Sequence, residues 1–389
     1  MRRRGVRVTM VAVMLAGAVG LATACGGSSR PPRKLVGALV AWGHSGVAGG
    51  YAGVTPFPTL VGSTLARQVT NFAVDGSQLL TDGPNSWGNI LHITSTGRYG
   101  RARHQPPPYR PTNEISVLMT GMNDLGCASP KYPGGAQGSA FLNAIGDSLG
   151  TVISRLRATA VFPASDRSVA YGPGWKFTPS AGYSGNGFEV TTTPGSTVTI
   201  KVPKSFRGGT IDFGTLDAPG YGGTWSFTVD GRSAGSLVTA GVASGGEVIG
   251  MVQRFTGLRA GSHTIVATPL AQAGTMFAAG FNYWQIEPAH PEYVGLLMMY
   301  DPVSTEAYKT GCGFLPTDAD IAAMNRAENS VVKQFDTRRS DRVIPISLPK
   351  LNHNASLAYA DDLHPNQAGI RYMASQVVRA MARAARSGA

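Results

Sequence analysis

The sequence predicts an α/β protein in which a parallel sheet is interrupted by an antiparallel β-sandwich. Short apolar runs alternate with helical stretches over residues 34–165, and the same alternation returns over residues 289–389. Strands that alternate with helices indicate a parallel sheet. Residues 166–288 are instead rich in Gly, Thr, Ser and Val and contain turn signals such as Asp230-Gly231. Short strands separated by such turns are typical of a β-sandwich.

Apolar patterning places the individual elements of these segments. In the two outer segments the predicted strands are Lys34–Trp42, Val69–Val74, Glu114–Thr120, Tyr293–Tyr300 and Val343–Ser347. The predicted helices there are Pro58–Gln68, Gln137–Ala158, Asp318–Phe335 and Asn366–Ala385. In the inserted segment the predicted strands are Thr197–Val202, Thr210–Phe213, Thr224–Val229, Glu247–Phe255 and His263–Ala267.

The first 25 residues have the order of a secretory signal: four arginines, an apolar run and then small residues up to Cys25. The ending Leu-Ala-Thr-Ala-Cys resembles a bacterial lipobox, although Ala22 stands where a larger aliphatic residue is usual. The resemblance implies that Cys25 is lipidated and that residues 26–33 form a tether. An uncleaved transmembrane anchor is the alternative, but the apolar run is short for one. We therefore expect a bacterial extracytoplasmic protein, either a cell-membrane lipoprotein or a secreted one.

Cysteine content and charge are consistent with export. If Cys25 carries lipid, Cys127 and Cys312 remain, and outside the cytoplasm they are expected to pair, two unpaired thiols being the alternative. The net charge is +12, of which four charges belong to the leader. A basic exported chain suits an anionic wall or membrane surface. The basic residues are scattered and form no nucleic-acid-binding motif, so we expect no nucleic-acid partner. Cys and His spacing of the metal-binding type is also absent from the sequence.

Four polar segments follow strands or precede the last helix, at positions where parallel α/β sheets form their sites. They are Trp42-Gly43-His44-Ser45-Gly46, the segment ending in Asp75-Gly76-Ser77, Thr120-Gly121-Met122-Asn123-Asp124, and Asp361-Asp362-Leu363-His364-Pro365-Asn366. A serine at a strand-to-helix turn can expose its hydroxyl, and a carboxylate three residues before a histidine can orient the ring. Each segment alone also fits an ordinary turn, and Asn366 could simply cap the final helix.

The order and separation of these segments resemble the SGNH (GDSL-like) hydrolase family over residues 34–165 and 289–389. The resemblance implies a three-layer α/β/α flavodoxin-like sheet and a serine esterase without metal or organic cofactor. It assigns Ser45 as the nucleophile, His364 as general base and acid, and Asp361 as the residue that orients His364. The Ser45 and Gly76 backbone N–H groups and the Asn123 side chain would form the oxyanion hole.

The chain departs from the family pattern at one position. His44 stands where the family has an aspartate whose role in the turn is usually structural, so the departure removes no member of the triad. Two alternatives stay open. His44 could replace His364 as the base, although neighbouring residues on a tight turn usually diverge, and Asp362 could replace Asp361. Asp124 is expected to support its loop.

The inserted segment looks like a carbohydrate-binding, jelly-roll-like module. Its aromatic residues Trp175, Tyr183, Tyr221 and Trp225 could stack on sugars or pack the sandwich core. We therefore expect a monomeric esterase acting on O-acyl groups, O-acetyl above all, of a glycan or cell-wall polysaccharide. Rival interpretations are a lipid or general carboxylesterase, an acyltransferase with the same triad, and a non-catalytic glycan-binding lipoprotein.

Overall fold

The computed structural model describes residues 38–49, 53–80, 115–180, 183, 186–218, 220–239, 249–273, 276–289, 293–306, 312–335 and 343–387. The predicted leader, the lipidation site Cys25 and the tether lie outside these residues. No helix of the described part is both long and apolar enough to cross a membrane.

A parallel sheet forms the centre of the α/β part. Its described strands, numbered in chain order with those of the rest of the chain, are β1 (Leu39–Gly43), β2 (Val69–Asn71), β3 (Ile115–Met119), β17 (Val294–Leu297) and β18 (Val343–Ile346). They lie side by side in the order β18-β17-β3-β1-β2, and every neighbouring pair is parallel. β1, β3 and β17 are buried along their whole length, as expected for strands covered on both faces.

Helices cover both faces of this sheet. They are α1 (Ser45–Ala48), α2 (Phe57–Leu65), α3 (Ser139–Arg157), α4 (Asp318–Phe335) and α5 (Gln367–Ser387). Side chains of a strand alternate between faces, so Leu39 and Ala41 of β1 join the core on the α2 and α5 side. Val40 and Trp42 join the opposite core with α3 and α4.

Within the described residues, the predicted strands and helices of the α/β part agree with these bounds to within three residues, whereas the predicted starts at Lys34 and Glu114 lie outside the described residues. α4 has the predicted ends, whereas β2 stops at Asn71 instead of Val74. Beyond Asn71 the chain still donates to β1, from Phe72 N–H to the Ala41 carbonyl and from Val74 N–H to the Gly43 carbonyl, but it leaves the regular pleat. The loop 72–77 therefore stays close to the end of β1.

The inserted segment is a two-sheet β-sandwich. Its described strands are β4 (Ala160–Pro163), β5 (Val169–Tyr171), β6 (Trp175–Pro179), β7 (Gly187–Thr191), β8 (Val198–Val202), β9 (Gly209–Asp217), β10 (Tyr221–Gly222), β11 (Thr224–Val229), β12 (Arg232–Val238), β13 (Ile249–Leu258), β14 (His263–Leu270), β15 (Met276–Phe277) and β16 (Ala279–Pro288). One sheet has the order β12-β11-β14-β8-β5, and the other has β13-β9-β16-β7-β6 with β4 added beside β16. The pairs within these two sheets are antiparallel.

An aromatic core holds the two sheets together. Phe213 and Phe281 of one sheet pack with Trp225 and Phe227 of the other. The predicted turn Asp230-Gly231 joins β11 to β12, and both of its residues have positive φ, 51° and 76°. Two consecutive left-handed residues are the signature of a tight hairpin turn, which explains the Asp-Gly pair.

The sandwich packs directly on the α/β part through helix α3. The Thr151 hydroxyl of α3 donates to the Gly250 carbonyl of β13 at 2.8 Å, and Ile249 and Met251 join the core that lies under α3. β4 begins three residues after α3 ends and pairs with β16. Residues 160–163, which precede the predicted start of the insertion at 166, thus belong to a sandwich sheet.

Candidate active site

The turn after β1 holds Ser45 at the carboxyl edge of the parallel sheet. β1 ends at Gly43, whose φ is 137°, and a Cβ built there would lie 2.1 Å from the Met119 carbonyl oxygen of β3. Only glycine lets the two strands meet at this point. Helix α1 then begins at Ser45, so the serine N–H lies at a helix start, where negative charge is favoured.

His44 is the N-cap of α1. Its side chain is buried, and its Nδ1 accepts a hydrogen bond from the Gly46 N–H at 3.2 Å. Burial, with a smaller contribution from the charge of His364, lowers the pKa of His44 to about 4. The ring is therefore neutral at pH 7 and caps the helix as an aspartate would. Because Nδ1 is used by the backbone and Nε2 is buried without a hydrogen-bond partner in the described part of the chain, the geometry does not favour His44 as a base.

Ser45, His364 and Asp361 form one hydrogen-bonded chain. The Ser45 Oγ lies 2.6 Å from the His364 Nε2, and the His364 Nδ1 lies 2.6 Å from the Asp361 Oδ2. The Asp361 Oδ1 also accepts from the backbone N–H groups of Leu363 and His364. Burial would raise the pKa of Asp361, but these hydrogen bonds outweigh it and hold the pKa below its usual value. An ionised Asp361 fixes the proton on Nδ1 and leaves Nε2 to accept from the serine.

The loop that carries Asp361 and His364 is held from several sides. The Tyr300 hydroxyl donates to the Leu363 carbonyl, and the Tyr359 N–H donates to the His364 carbonyl at 2.6 Å. Asp362 has a φ of 56°, and its carbonyl accepts from the Ser304 N–H. Asp361, rather than Asp362, is thus the carboxylate that contacts the histidine ring.

Asn366 caps the final helix, as its position before α5 indicated. Its Oδ1 accepts from the N–H groups of Ala368 and Gly369, and its Nδ2 donates to the carbonyls of Ser356 and Ala358. In this segment Asn366 therefore caps the helix while Asp361 contacts His364, so the two interpretations do not exclude each other.

Hydrogen bonds tie the two remaining predicted segments to the serine turn. The Ser77 hydroxyl donates to the Gly43 carbonyl at 2.8 Å, and the Asn123 Nδ2 donates to the Ser77 carbonyl at 3.0 Å. Gly76 has a φ of 72° and is exposed, and a Cβ built on it would have no neighbour within 4 Å. Asn123 and Ser77, the neighbour of Gly76, thus belong to one hydrogen-bonded arrangement with the end of β1.

Asp124 supports this arrangement from inside the protein. Its two carboxylate oxygens accept from the N–H groups of Leu79 and Leu80, at 3.1 and 2.7 Å, and the side chain is fully buried. Burial raises the pKa of Asp124 to about 7 although these backbone hydrogen bonds favour the charged form. The structure therefore joins the Asn123 loop and the segment after Gly76 through both Asn123 and Asp124.

Glu328 of α4 is a buried acid that belongs to none of the four polar segments of the sequence. It is fully buried, and neither carboxylate oxygen has a hydrogen-bond partner within the described residues. A Cβ built on Gly121 would lie 3.1 Å from its Oε1. Burial, followed by the charge of Asp124, raises the pKa of Glu328 well above its usual value. Helical spacing indicated this burial in the sequence, since Glu328 lies four residues after the buried Met324 and three before the buried Val331.

The predicted cystine is confirmed. Cys127 and Cys312 form a disulfide across a separation of 185 residues. It joins the π-helical turn Asp124–Ala128, which follows the Asn123 loop, to the segment before α4.

The four aromatic residues of the sandwich differ in exposure. Trp225 is completely buried in the sandwich core, and Trp175 packs partly against that core. Tyr183 is nearly buried and its ring contacts Phe188. These rings therefore pack the sandwich, which was the alternative to sugar stacking. Tyr221 is 43% exposed and remains available to a ligand.

No group of three or more His, Cys, Asp or Glu side chains within the described ranges is arranged to hold a metal ion.

Comparisons with known proteins give limited likenesses. No family model matches the chain, and no curated protein matches it. Among solved structures, a family 35 carbohydrate-binding module from Clostridium thermocellum is 14% identical with a TM-score of 0.26, over 33% of this chain and 98% of that one. The CBM36-1 domain of a multidomain xylanase from the hindgut metagenome of Trinervitermes trinervoides is 16% identical with a TM-score of 0.25, over 33% and 97%.

An exo-β-1,3-galactanase from Phanerochaete chrysosporium is 16% identical with a TM-score of 0.25, and the likeness covers 32% of this chain and 28% of the galactanase. We draw nothing about activity or ligand from likenesses of this size.

Proposed function

We propose that the protein is a serine esterase of the SGNH type. The observation that carries the proposal is the hydrogen-bonded chain from Ser45 through His364 to Asp361, with contacts of 2.6 Å on both sides of the imidazole. A hydroxyl, an imidazole and an ionised carboxylate in this order constitute a general-base-activated nucleophile.

The proposed reaction is a two-step acyl transfer. His364 takes the proton of Ser45 as its Oγ attacks the ester carbonyl, and the resulting imidazolium then protonates the departing alcohol. Water then attacks the acyl-enzyme as His364 takes its proton, and the imidazolium returns that proton to the Ser45 Oγ as the bond to the acyl group breaks and the acid leaves. This chemistry uses no metal or organic cofactor.

Three donors are proposed to stabilise the oxyanion: the Ser45 N–H, the Gly76 N–H and the Asn123 amide. Loss of one such donor costs about 3–4 kcal/mol in other acyl-transfer enzymes. The hydrogen bonds that link Asn123 to Ser77, and Ser77 to Gly43, support this assignment because they hold the three donor segments at one edge of the sheet.

The sheet supports assignment to a flavodoxin-like, three-layer SGNH hydrolase fold. Numbered along the chain, its five described strands lie in the order 2-1-3-4-5, which is the order of flavodoxin-like doubly wound sheets. Ser45 and Asn123 follow the carboxyl ends of β1 and β3, the edge at which open α/β sheets place their ligands.

The proposed substrate is an O-acyl, chiefly O-acetyl, ester on a glycan or cell-wall polysaccharide outside the cytoplasm. The signal-like leader and the disulfide support an extracytoplasmic location. The β-sandwich packed on α3, together with its exposed Tyr221, supports a carbohydrate ligand. We also propose that the protein is anchored to the membrane through Cys25 and is a monomer.

Hydrolysis of p-nitrophenyl esters tests the reaction. Ser45→Ala should lower kcat by at least about 10⁴-fold, because the nucleophile is lost. Ser63→Ala, which changes an exposed serine of α2, is the matched control and should keep the wild-type rate. A fluorophosphonate should add its mass to the wild type and the control but not to Ser45→Ala. Equal rates in all three proteins would refute the assignment.

The acyl group and the glycan are tested separately. The rate should be highest with the acetyl ester and fall with longer acyl chains. Acetate release from an acetylated polysaccharide should depend on Ser45. A clear preference for long chains would instead favour the lipid-esterase interpretation.

A further inference from the structure

A cleft of about 330 Å³ lies where the sandwich joins the α/β part, away from Ser45. Helix α3 starts after the carboxyl end of β3 and ends at Arg157 beside this cleft, and its 19 residues span about 28 Å. Pro288 and Ala289, which precede β17 in the chain, also line the cleft. The cleft is therefore on the amino-terminal side of the parallel strands, opposite the proposed catalytic edge.

Four arginines line this cleft, and none of its lining residues is an acid: Arg157, Arg207, Arg254 and Arg259. Arg157 and Arg254 form the floor, with side chains 2% and 15% exposed. Arg207 and Arg259 are exposed and stand on the loops β8–β9 and β13–β14. The Gly261 N–H donates to the Phe206 carbonyl at 3.0 Å, which joins the two loops that carry the exposed arginines.

The floor is preorganised. The Arg254 guanidinium binds Asp212 at 3.2 Å and Glu287 at 2.6 Å, and Arg157 lies 3.4 Å from Glu287. Both guanidinium groups lie over the Phe335 ring, at 4.0 Å for Arg254 and 5.2 Å for Arg157. Arg207 and Arg259 add two exposed positive charges at the cleft beside this buried network.

The remaining lining residues fit a sugar. Thr210 and Thr256 offer hydroxyl groups, Leu258 and Pro288 offer apolar surface, and three glycines allow close approach to the backbone. Guanidinium groups recognise carboxylates and phosphates through paired hydrogen bonds. We propose that this cleft binds an anionic sugar residue of a polysaccharide, one that bears a carboxylate or a phosphate. The proposal goes beyond the esterase reaction and does not depend on it.

Affinity electrophoresis of the protein with matched polymers tests the proposal. The carboxylate pair is polygalacturonate and its fully methyl-esterified form, and the phosphate pair is phosphomannan and the same mannan after dephosphorylation. We expect retardation by at least one charged polymer and none by its neutral counterpart. The pair that gives retardation identifies the oxyanion, and retardation by neither charged polymer would overturn the proposal.

Two double variants separate the cleft from the overall basic charge of the protein. Arg207→Gln with Arg259→Gln should weaken binding by about tenfold or more, because two charge-assisted contacts are lost from exposed loops. The control, Arg326→Gln with Arg371→Gln, removes the same charge from exposed positions on α4 and α5 and should change binding by less than about twofold. Equal weakening in both variants would overturn the proposal.

Hydrolysis of p-nitrophenyl acetate should be unchanged in both double variants, since neither touches the Ser45 site. An inactive wild type would refute the proposed esterase while leaving the binding comparison intact.

Discussion

Replacing Glu328 by Gln should stabilise the protein by an amount that grows with pH. In the folded state the carboxyl is fully buried without a hydrogen-bond partner in the described structure, and its pKa lies well above the ordinary value of 4.5. Between these two pKa values the folded state holds a proton that the unfolded state has released. The stability of the wild type therefore falls as pH rises through this window.

The slope gives the magnitude. One group that titrates only in the unfolded state changes the free energy of unfolding by about 1.4 kcal/mol per pH unit. While the pH lies between the two pKa values, the stability advantage of Glu328→Gln over the wild type should therefore grow by up to about 1.4 kcal/mol per pH unit, so that it is larger at pH 7 than at pH 5. Gln keeps the shape of the side chain. Any change in packing therefore shifts the free energy of unfolding by the same amount at every pH.

Urea unfolding at pH 5, 6 and 7 measures this difference. Glu328→Leu is the matched control: it also removes the titrating group but differs in packing, so its advantage over the wild type should grow with the same slope from a different offset. A stability difference between Glu328→Gln and the wild type that stays constant from pH 5 to 7 would refute the reasoning, because it would mean that Glu328 is solvated or paired in the folded state.

Three further perturbations follow from the same contacts. Asp361→Asn should lower kcat for p-nitrophenyl acetate by about 10³–10⁴-fold with little change in KM, because an amide neither fixes the His364 tautomer nor stabilises the imidazolium; an unchanged rate would contradict the assignment. His44 has a pKa of about 4 in the folded state against 6.5 unfolded, so its contribution to stability is lost as pH falls from 6.5 towards 4. His44→Asn, which keeps a cap acceptor, should reduce that acid sensitivity in thermal unfolding at pH 4.5 and 7, whereas equal sensitivity would contradict burial of the neutral ring. Replacing Cys127 and Cys312 together by Ser releases a link across 185 residues and should lower the free energy of unfolding by up to about 5 kcal/mol; a variant as stable as the oxidised wild type would contradict this.

Local patterning predicted the strands and the longer helices of the α/β part and five of the sandwich strands, and it nominated the candidate residues. It did not predict the other eight described strands of the sandwich, such as β16. Apolar runs such as that of β1 predict buried strands because a strand covered on both faces has no polar side. The three-residue spacing of Asp361 and His364 also predicts their contact, since a short loop limits how far the two side chains can separate. For Trp225 the sequence allowed both sugar stacking and core packing. Its alternation with Phe227 and Val229 on one face of β11 is the pattern of a core residue.

The sequence by itself determined the α/β alternation, the position of the β-rich insertion and the polar segments at the strand ends, because these depend on neighbours a few residues apart. Only the tertiary structure decided the contacts between residues that are far apart in the sequence. Ser45 and His364 are 319 residues apart, and strand order rather than local pattern brings them together. The same holds for the burial of Glu328 beside Gly121 and for the arginine cleft, whose residues come from separate elements. The role of His44 was decided there too, because only the packing of the turn shows that its ring is buried and that its Nδ1 accepts from the Gly46 N–H.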